Sequence, residues 1–114
     1  MSKHDLLVMQ DLVAKGEFAL ANKSTESDVL ELGWDTAMIQ AFVSCLRGVH
    51  FHKSLDGQFA FGRRLTVDLD VYRMYFDEEN RQEGNGDCCR FYTKLALYSH
   101  KDGRSVAIVS LHLG

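Results

Sequence analysis

Two imidazoles, an ammonium and a hydroxyl fall within five positions, at His50, His52, Lys53 and Ser54, just after Gly48. Arg73, Tyr92, Lys94 and His112 follow at wider spacing. Cleaving RNA without a metal needs groups of these types. A base takes the 2′-hydroxyl proton, a cation stabilises the crowded phosphorane, and an acid protonates the leaving 5′ oxygen. Imidazole titrates near neutrality and serves as either acid or base. Lysine and arginine meet phosphate oxygens, and a tyrosine stacks on a base or passes a proton. Taken singly, each histidine is more often a hydrogen-bonded or solvent-exposed residue than a catalyst, so the question is whether the chain brings these groups together.

Other chemistries find less to work with. The chain has no phosphate-binding loop, no dinucleotide-binding glycine run and no CxxC pair. His50-x-His52 with Cys88 and Cys89 could be drawn as zinc ligands, but the spacing matches no standard site and adjacent cysteines bind one ion awkwardly. No metal and no cofactor is therefore expected. Nothing in the sequence places a base beside a cysteine for nucleophilic catalysis. Cys45, on an apolar helical stripe, reads as a small core residue.

The elements that must position these groups follow from periodicity. A helix is expected over residues 3–15, with Ser2 and Asp5 as a loose capping box and Gly16 after its end. Residues 17–21 read as a short edge strand, and Ser24 or Thr25 caps a turn of helix that Gly33 stops. The clearest helix starts at the N-cap Asp35, carries Met38, Ile39, Phe42, Cys45 and Leu46 at 3/4 spacing, and ends at Gly48 with Arg47 at its negative end.

From Val49 onward the chain is strand-like. Strict alternation puts Val49, Phe51 and Lys53 on one face and His50, His52 and Ser54 on the other, so Lys53 reaches a polar site only if the strand ends, twists or bulges. Asp56-Gly57 signals a turn, with strands expected over 59–64 and 67–76. Residues 77–89 read as a flexible or disordered polar loop. The last 25 residues form a hairpin with His100 opposite Arg104 and a Lys101-Asp102-Gly103 loop. Phe91, Thr93, Leu95 and Leu97 then share a face with Ala107, Val109, Leu111 and Leu113. On the polar face Tyr92 opposes His112 and Lys94 opposes Ser110.

The totals set outer bounds. A length of 114 residues fits one domain, 1–114, able to bury a core without a disulfide or metal staple. Three cysteines, two of them adjacent, make a poor disulfide framework, and the reducing cytoplasm is the expected compartment. Neither a signal peptide nor a membrane span is legible. A net charge of −3 argues against a protein that coats nucleic acid. The charge is uneven, however. Residues 47–66 hold Arg47, Lys53, Arg63 and Arg64 against Asp56, whereas residues 68–87 hold seven acids against Arg73 and Arg81.

A family resemblance adds to this. Glu31-Leu32-Gly33, Phe51-His52-Lys53-Ser54-Leu55, Asp68-Leu69-Asp70-Val71-Tyr72-Arg73, Tyr92-Thr93-Lys94 and Ile108-Val109-Ser110-Leu111-His112 occur in the order and spacing of the MqsR-type (motility quorum-sensing regulator) toxins. The chain resembles that family from about Leu12 to its end. The resemblance implies an α+β, RelE-like fold, with two main helices packed on one face of a twisted antiparallel sheet. It implies a metal-independent mRNA interferase of a toxin–antitoxin pair, cutting GCU-type sequences and held inactive by a cognate antitoxin, with helix-turn-helix proteins among the candidates for that partner. By matching position, the family's functional lysine falls on Lys53, its functional tyrosine on Tyr92 and its motif arginine on Arg73. The family's glutamine is Leu69 here, its tryptophan Asp68 and its closing lysine His112, and this chain is acidic where the family is typically basic.

The expected site therefore has Lys53, Tyr92 and His112 as catalytic groups and Arg73, Lys94, His50 and His52 as substrate-binding groups. A divergent, non-catalytic binding module for RNA or a protein partner is the alternative.

Overall fold

The computed structural model describes residues 2–61 and 65–114. Arg63 and Arg64, counted above in the basic stretch, and the end of the strand expected over 59–64 lie outside those residues. In chain order the elements are α1 (Leu6–Ala14), β1 (Phe18–Leu20), α2 (Lys23–Leu32), α3 (Thr36–Cys45), a 3-10 turn (Gly48–His50), β2 (Phe51–Phe61), β3 (Leu65–Asp77), β4 (Gln82–Glu83), β5 (Cys89–His100) and β6 (Gly103–Leu113). The class is α+β, as expected, with three helices and a six-stranded sheet among the described residues.

Local chemistry sets the helix limits. Asp5, not Ser2, is the N-cap of α1, and its carboxylate accepts from Leu7 N and Val8 N. Asn22 caps α2 in place of the expected Ser24 or Thr25, and Gly33 closes α2 in the left-handed conformation at φ 73°. Asp35 caps α3 as expected, but α3 ends at Cys45, and Arg47 turns to a different partner described below. Two glutamines satisfy the orphan carbonyls at the helix ends reciprocally. Gln10 of α1 donates to the carbonyls of Val43 and Leu46, and Gln40 of α3 donates to that of Val13.

The sheet runs β1-β6-β5-β3-β2. It is mixed rather than wholly antiparallel, because β1 pairs in parallel with β6, Phe18 lying opposite Val106. A parallel neighbour needs a long connection, and here the whole chain between 21 and 102 supplies it. The expected turn at Asp56-Gly57 is instead an irregularity inside β2, which keeps pairing with β3 from Phe51 to Phe61. Gly57 takes φ 54° there, and its N–H donates to Asp68. The segment read as a loop over 77–89 contains β4, whose Glu83 pairs with Phe76.

One face of the sheet builds the main core. Tyr72, Met74 and Phe76 of β3, Phe91 and Leu95 of β5, and Val106, Ile108 and Leu111 of β6 share a buried cluster with Met9, Val13, Val29, Trp34, Ile39, Phe42 and Val43. Trp34, Phe42, Phe76 and Phe91 interlock at centroid distances of 4.9 to 6.3 Å, mostly tilted or edge-on. Asp70 also sits on this face, fully buried, and accepts from the backbone N–H of Lys3 and of His4 and from Ser54 Oγ. The N-terminal segment is thereby strapped across β3.

Candidate functional site

Two bulges decide what the opposite face of the sheet carries. The first lies between Phe51 and Lys53. Phe51 pairs with Tyr72 and packs into the main core, whereas Lys53 pairs with Val71 on the other face. Strict alternation would have put them on one side; the extra residue, His52, breaks it. Val49 and His50 do not alternate with them at all, since both belong to the 3-10 turn. Ser54 consequently faces the core, where it meets Asp70.

The second bulge lies in β6 at Val109. Near the turn His100 pairs with Gly103 and Leu95 with Ile108, one residue off the expected register. Beyond the bulge Lys94 pairs with Ser110 and Tyr92 with His112, as expected. The loop is thus Lys101-Asp102, and Val106 and Ile108 face the main core in place of Ala107 and Val109. The bulged Val109 carbonyl is not left bare, because Thr25 Oγ1 and Asn22 Nδ2 donate to it.

The polar groups on that face form a lattice fixed by register. One row runs His112, Tyr92, Arg73 across β6, β5 and β3, with His52 next to it in the β2 bulge; a second runs Ser110, Lys94, Val71, Lys53. Tyr92 and His112 stack at 5.1 Å and 21°. Lys94 Nζ lies 5.8 Å from the Tyr92 ring centre, a loose cation–π contact. His112 Nδ1 is 2.7 Å from the Leu113 carbonyl. A carbonyl only accepts, so Nδ1 holds the proton and the neutral ring keeps its lone pair on Nε2. Four strands cover three inter-strand spacings, about 14 Å. Lys53 and His112 therefore stand at opposite ends of a band, with Arg73 and Tyr92 between them.

His52 is exposed, yet its pKa is lowered, first by partial loss of hydration and then by the positive charges of Arg73, Lys53 and Arg90. For an exposed ring the three cations carry the physical weight, and they show that these side chains share one field. Among the described residues Lys53, Arg73 and Lys94 form no ion pair. Arg90 was missed in the sequence. Its signal was alternation, two positions before Tyr92, and its N–H at Nε donates to the Gly114 carbonyl.

His50 is placed differently. Its Nδ1 accepts from the backbone N–H of Arg47 at 2.8 Å and its Nε2 lies 3.3 Å from Glu83. Both nitrogens are engaged, so His50 builds a wall rather than offering a free nitrogen. Arg47 grips the same carboxylate through Nε and Nη2, each at 2.8 Å. The Arg47 hydrogen bond, with His50 beside it, holds the Glu83 pKa down to about 2. Tyr72, the tyrosine of the Asp70-to-Arg73 stretch, is no proton-transfer group. Burial, with Asp70 and Asp5 nearby, pushes its phenol up to about 12.

Leu69 is buried on the same face as the polar rows, in a small cluster with Ala96 and Ala107. Among the described residues no three His, Cys, Asp or Glu side chains gather as metal ligands would, and no helix is long and apolar enough to cross a membrane. No protein-family model matches the chain, and no curated protein does so either.

Proposed function

We propose that the chain is a metal-independent endoribonuclease, an mRNA interferase toxin of MqsR type held in check by an antitoxin, with its helices laid against one face of the sheet in a RelE-like arrangement. The supporting observation is the row His112, Tyr92, Arg73, His52, which a β-bulge and a hairpin register bring onto one sheet face beside Lys53 and Lys94. Arg73 and Lys53 hold phosphate oxygens and stabilise the charge that builds on the phosphorane. His112, with its lone pair on Nε2, and the stacked Tyr92 handle proton transfer or seat the substrate on one side of Arg73. His52 stands on the other side as the acceptor of the 2′-hydroxyl proton, its pKa lowered by partial loss of hydration and by the positive charges of Arg73, Lys53 and Arg90. In-line cleavage of an RNA phosphodiester needs a base and an acid on opposite sides of phosphorus: His52 takes the 2′-hydroxyl proton, and the Tyr92 phenol, stacked on His112, gives one to the leaving 5′ oxygen.

The test is incubation of purified protein with mRNA in EDTA. Cleavage is expected, with His112→Ala slower by at least about 100-fold and Lys53→Ala slowed as well. RNA that stays intact at high protein concentration, or cleavage by His112→Ala at the parent rate, sinks the assignment.

The alternative, a binding module without catalysis, is favoured by Leu69. An apolar cluster occupies the place where the family resemblance calls for an amide beside the site. That reading expects RNA or partner binding with no cleavage and no growth arrest on expression.

A further inference from the structure

We infer that the cleft beside the cationic rows is a subsite for one unpaired ribonucleotide, its base stacked on Tyr75 and its phosphate held by Arg73 and Arg90. The inference rests on the proposed RNA substrate but not on cleavage. The cleft is a notch in the sheet edge. On that edge β3 is paired through Tyr72, which faces Phe51, and again from Phe76, which faces Glu83. Residues 73–75 between them have no strand beside them, and the notch has a volume of about 320 Å³.

Its lining suits a nucleotide. Arg73 and Arg90 line it, as does Tyr75, an aromatic residue that is 41% exposed. Tyr75 and Arg90 are direct cross-strand neighbours, with Arg73 two positions along the same face. Arg90 spends Nε on the Gly114 carbonyl, which fixes the guanidinium and leaves its terminal nitrogens for an anion. The far wall is rigid, because Arg47 and His50 both clamp Glu83 and Gly84 N donates to the Tyr75 carbonyl. Aromatic stacking accepts every base through its π face, so the subsite selects single strands rather than a sequence.

The experiment titrates the intact protein with a nucleoside 5′-monophosphate and, separately, with ribose 5-phosphate, following amide shifts by NMR. The nucleotide is expected to bind about tenfold tighter than the sugar phosphate, the difference a stacked base makes. Tyr75→Phe keeps that difference and Tyr75→Ala removes it, while Arg90→Ala weakens both ligands. Equal affinity for the two ligands, or a Tyr75→Ala protein that still prefers the nucleotide, overturns the subsite. RNA cleavage without base-dependent binding would sink this inference alone. Base-dependent binding without RNA cleavage would sink the nuclease reading alone.

Discussion

His52 shows how a single side chain takes its properties from register rather than from its own neighbours in sequence. It sits in a bulge, where its ring meets the fields of Arg73 and Arg90 from two other strands as well as that of Lys53. Partial loss of hydration, with those positive charges, puts its folded pKa below the ordinary imidazole value, whereas in the unfolded chain it returns to that value. Between the two, the unfolded chain binds more protons, so this group's effect on stability is unfavourable as pH falls through the window and vanishes above the unfolded pKa. The same fields make a ligand test. A phosphate-bearing ligand on Arg73 and Lys53 neutralises part of the positive potential, so the His52 midpoint is expected to rise when an RNA fragment binds. An NMR pH titration of the ring protons with and without the fragment measures it, and an unmoved midpoint would count against phosphate binding at Arg73. Its neighbours His50 and Ser54 were equally visible in sequence but go to structural work, one against Glu83 and the other against Asp70. Sequence could count these polar groups; it could not say which were already satisfied.

At the scale of elements, both bulges do the same thing. Each shifts a strand by one residue partway along, so that an apolar set stays on the core face while the polar set beyond it is re-aimed. In β6 this lets Val106 and Ile108 share the core with Leu111, which plain alternation forbids. The far half of the β5–β6 register, including Tyr92 opposite His112, was legible because polar and apolar residues there alternate cleanly. The near half was not, because a bulge costs one residue of register, and what stabilises it here is the pair of bonds from Thr25 and Asn22 to the Val109 carbonyl, some 85 residues away in sequence. Asp70 does a comparable job for β3. Its buried carboxylate satisfies two backbone N–H groups of the N-terminal segment and a hydroxyl of β2. Asp70→Ala leaves those donors without an acceptor, so a loss of about 2–4 kcal/mol is expected in urea unfolding. A loss below about 1 kcal/mol would mean that water replaces the carboxylate readily and that the strap is weak.

For the molecule as a whole, the net charge of −3 conceals a division of the surface. Lys53, Arg73, Arg90 and Lys94 gather on one sheet face, and Lys53, Arg73 and Lys94 have no ion-pair partner among the described residues. Several of the acids elsewhere are occupied: Glu83 holds Arg47, Glu78 accepts from the Trp34 indole, and Asp77 is bonded to Asn80. On the proposed nuclease reading, single-stranded RNA is expected to bind this band with a steep salt dependence, each neutralised phosphate adding about 0.7 to the slope of log K against log salt. Removing one of the four cations is expected to reduce that slope by about 0.7, in a fluorescence-anisotropy series with a short RNA. A slope unchanged by both Arg73→Ala and Lys94→Ala would place the RNA elsewhere on the surface.

Sequence by itself determined the α+β class, the cap Asp35, the stop at Gly33 and the pairing of Tyr92 with His112. These rest on short-range rules, namely capping, backbone freedom at glycine and period-two alternation, which need no knowledge of distant chain. Tertiary structure alone decided that Lys53 leaves the face of Phe51, that β1 runs parallel to β6, and that Arg73, Tyr75 and Arg90 line one notch. Each of those depends on which strands become neighbours and where a bulge is tolerated. That choice is settled by burying the Trp34 and Phe91 cluster and by satisfying stray backbone groups across the whole chain.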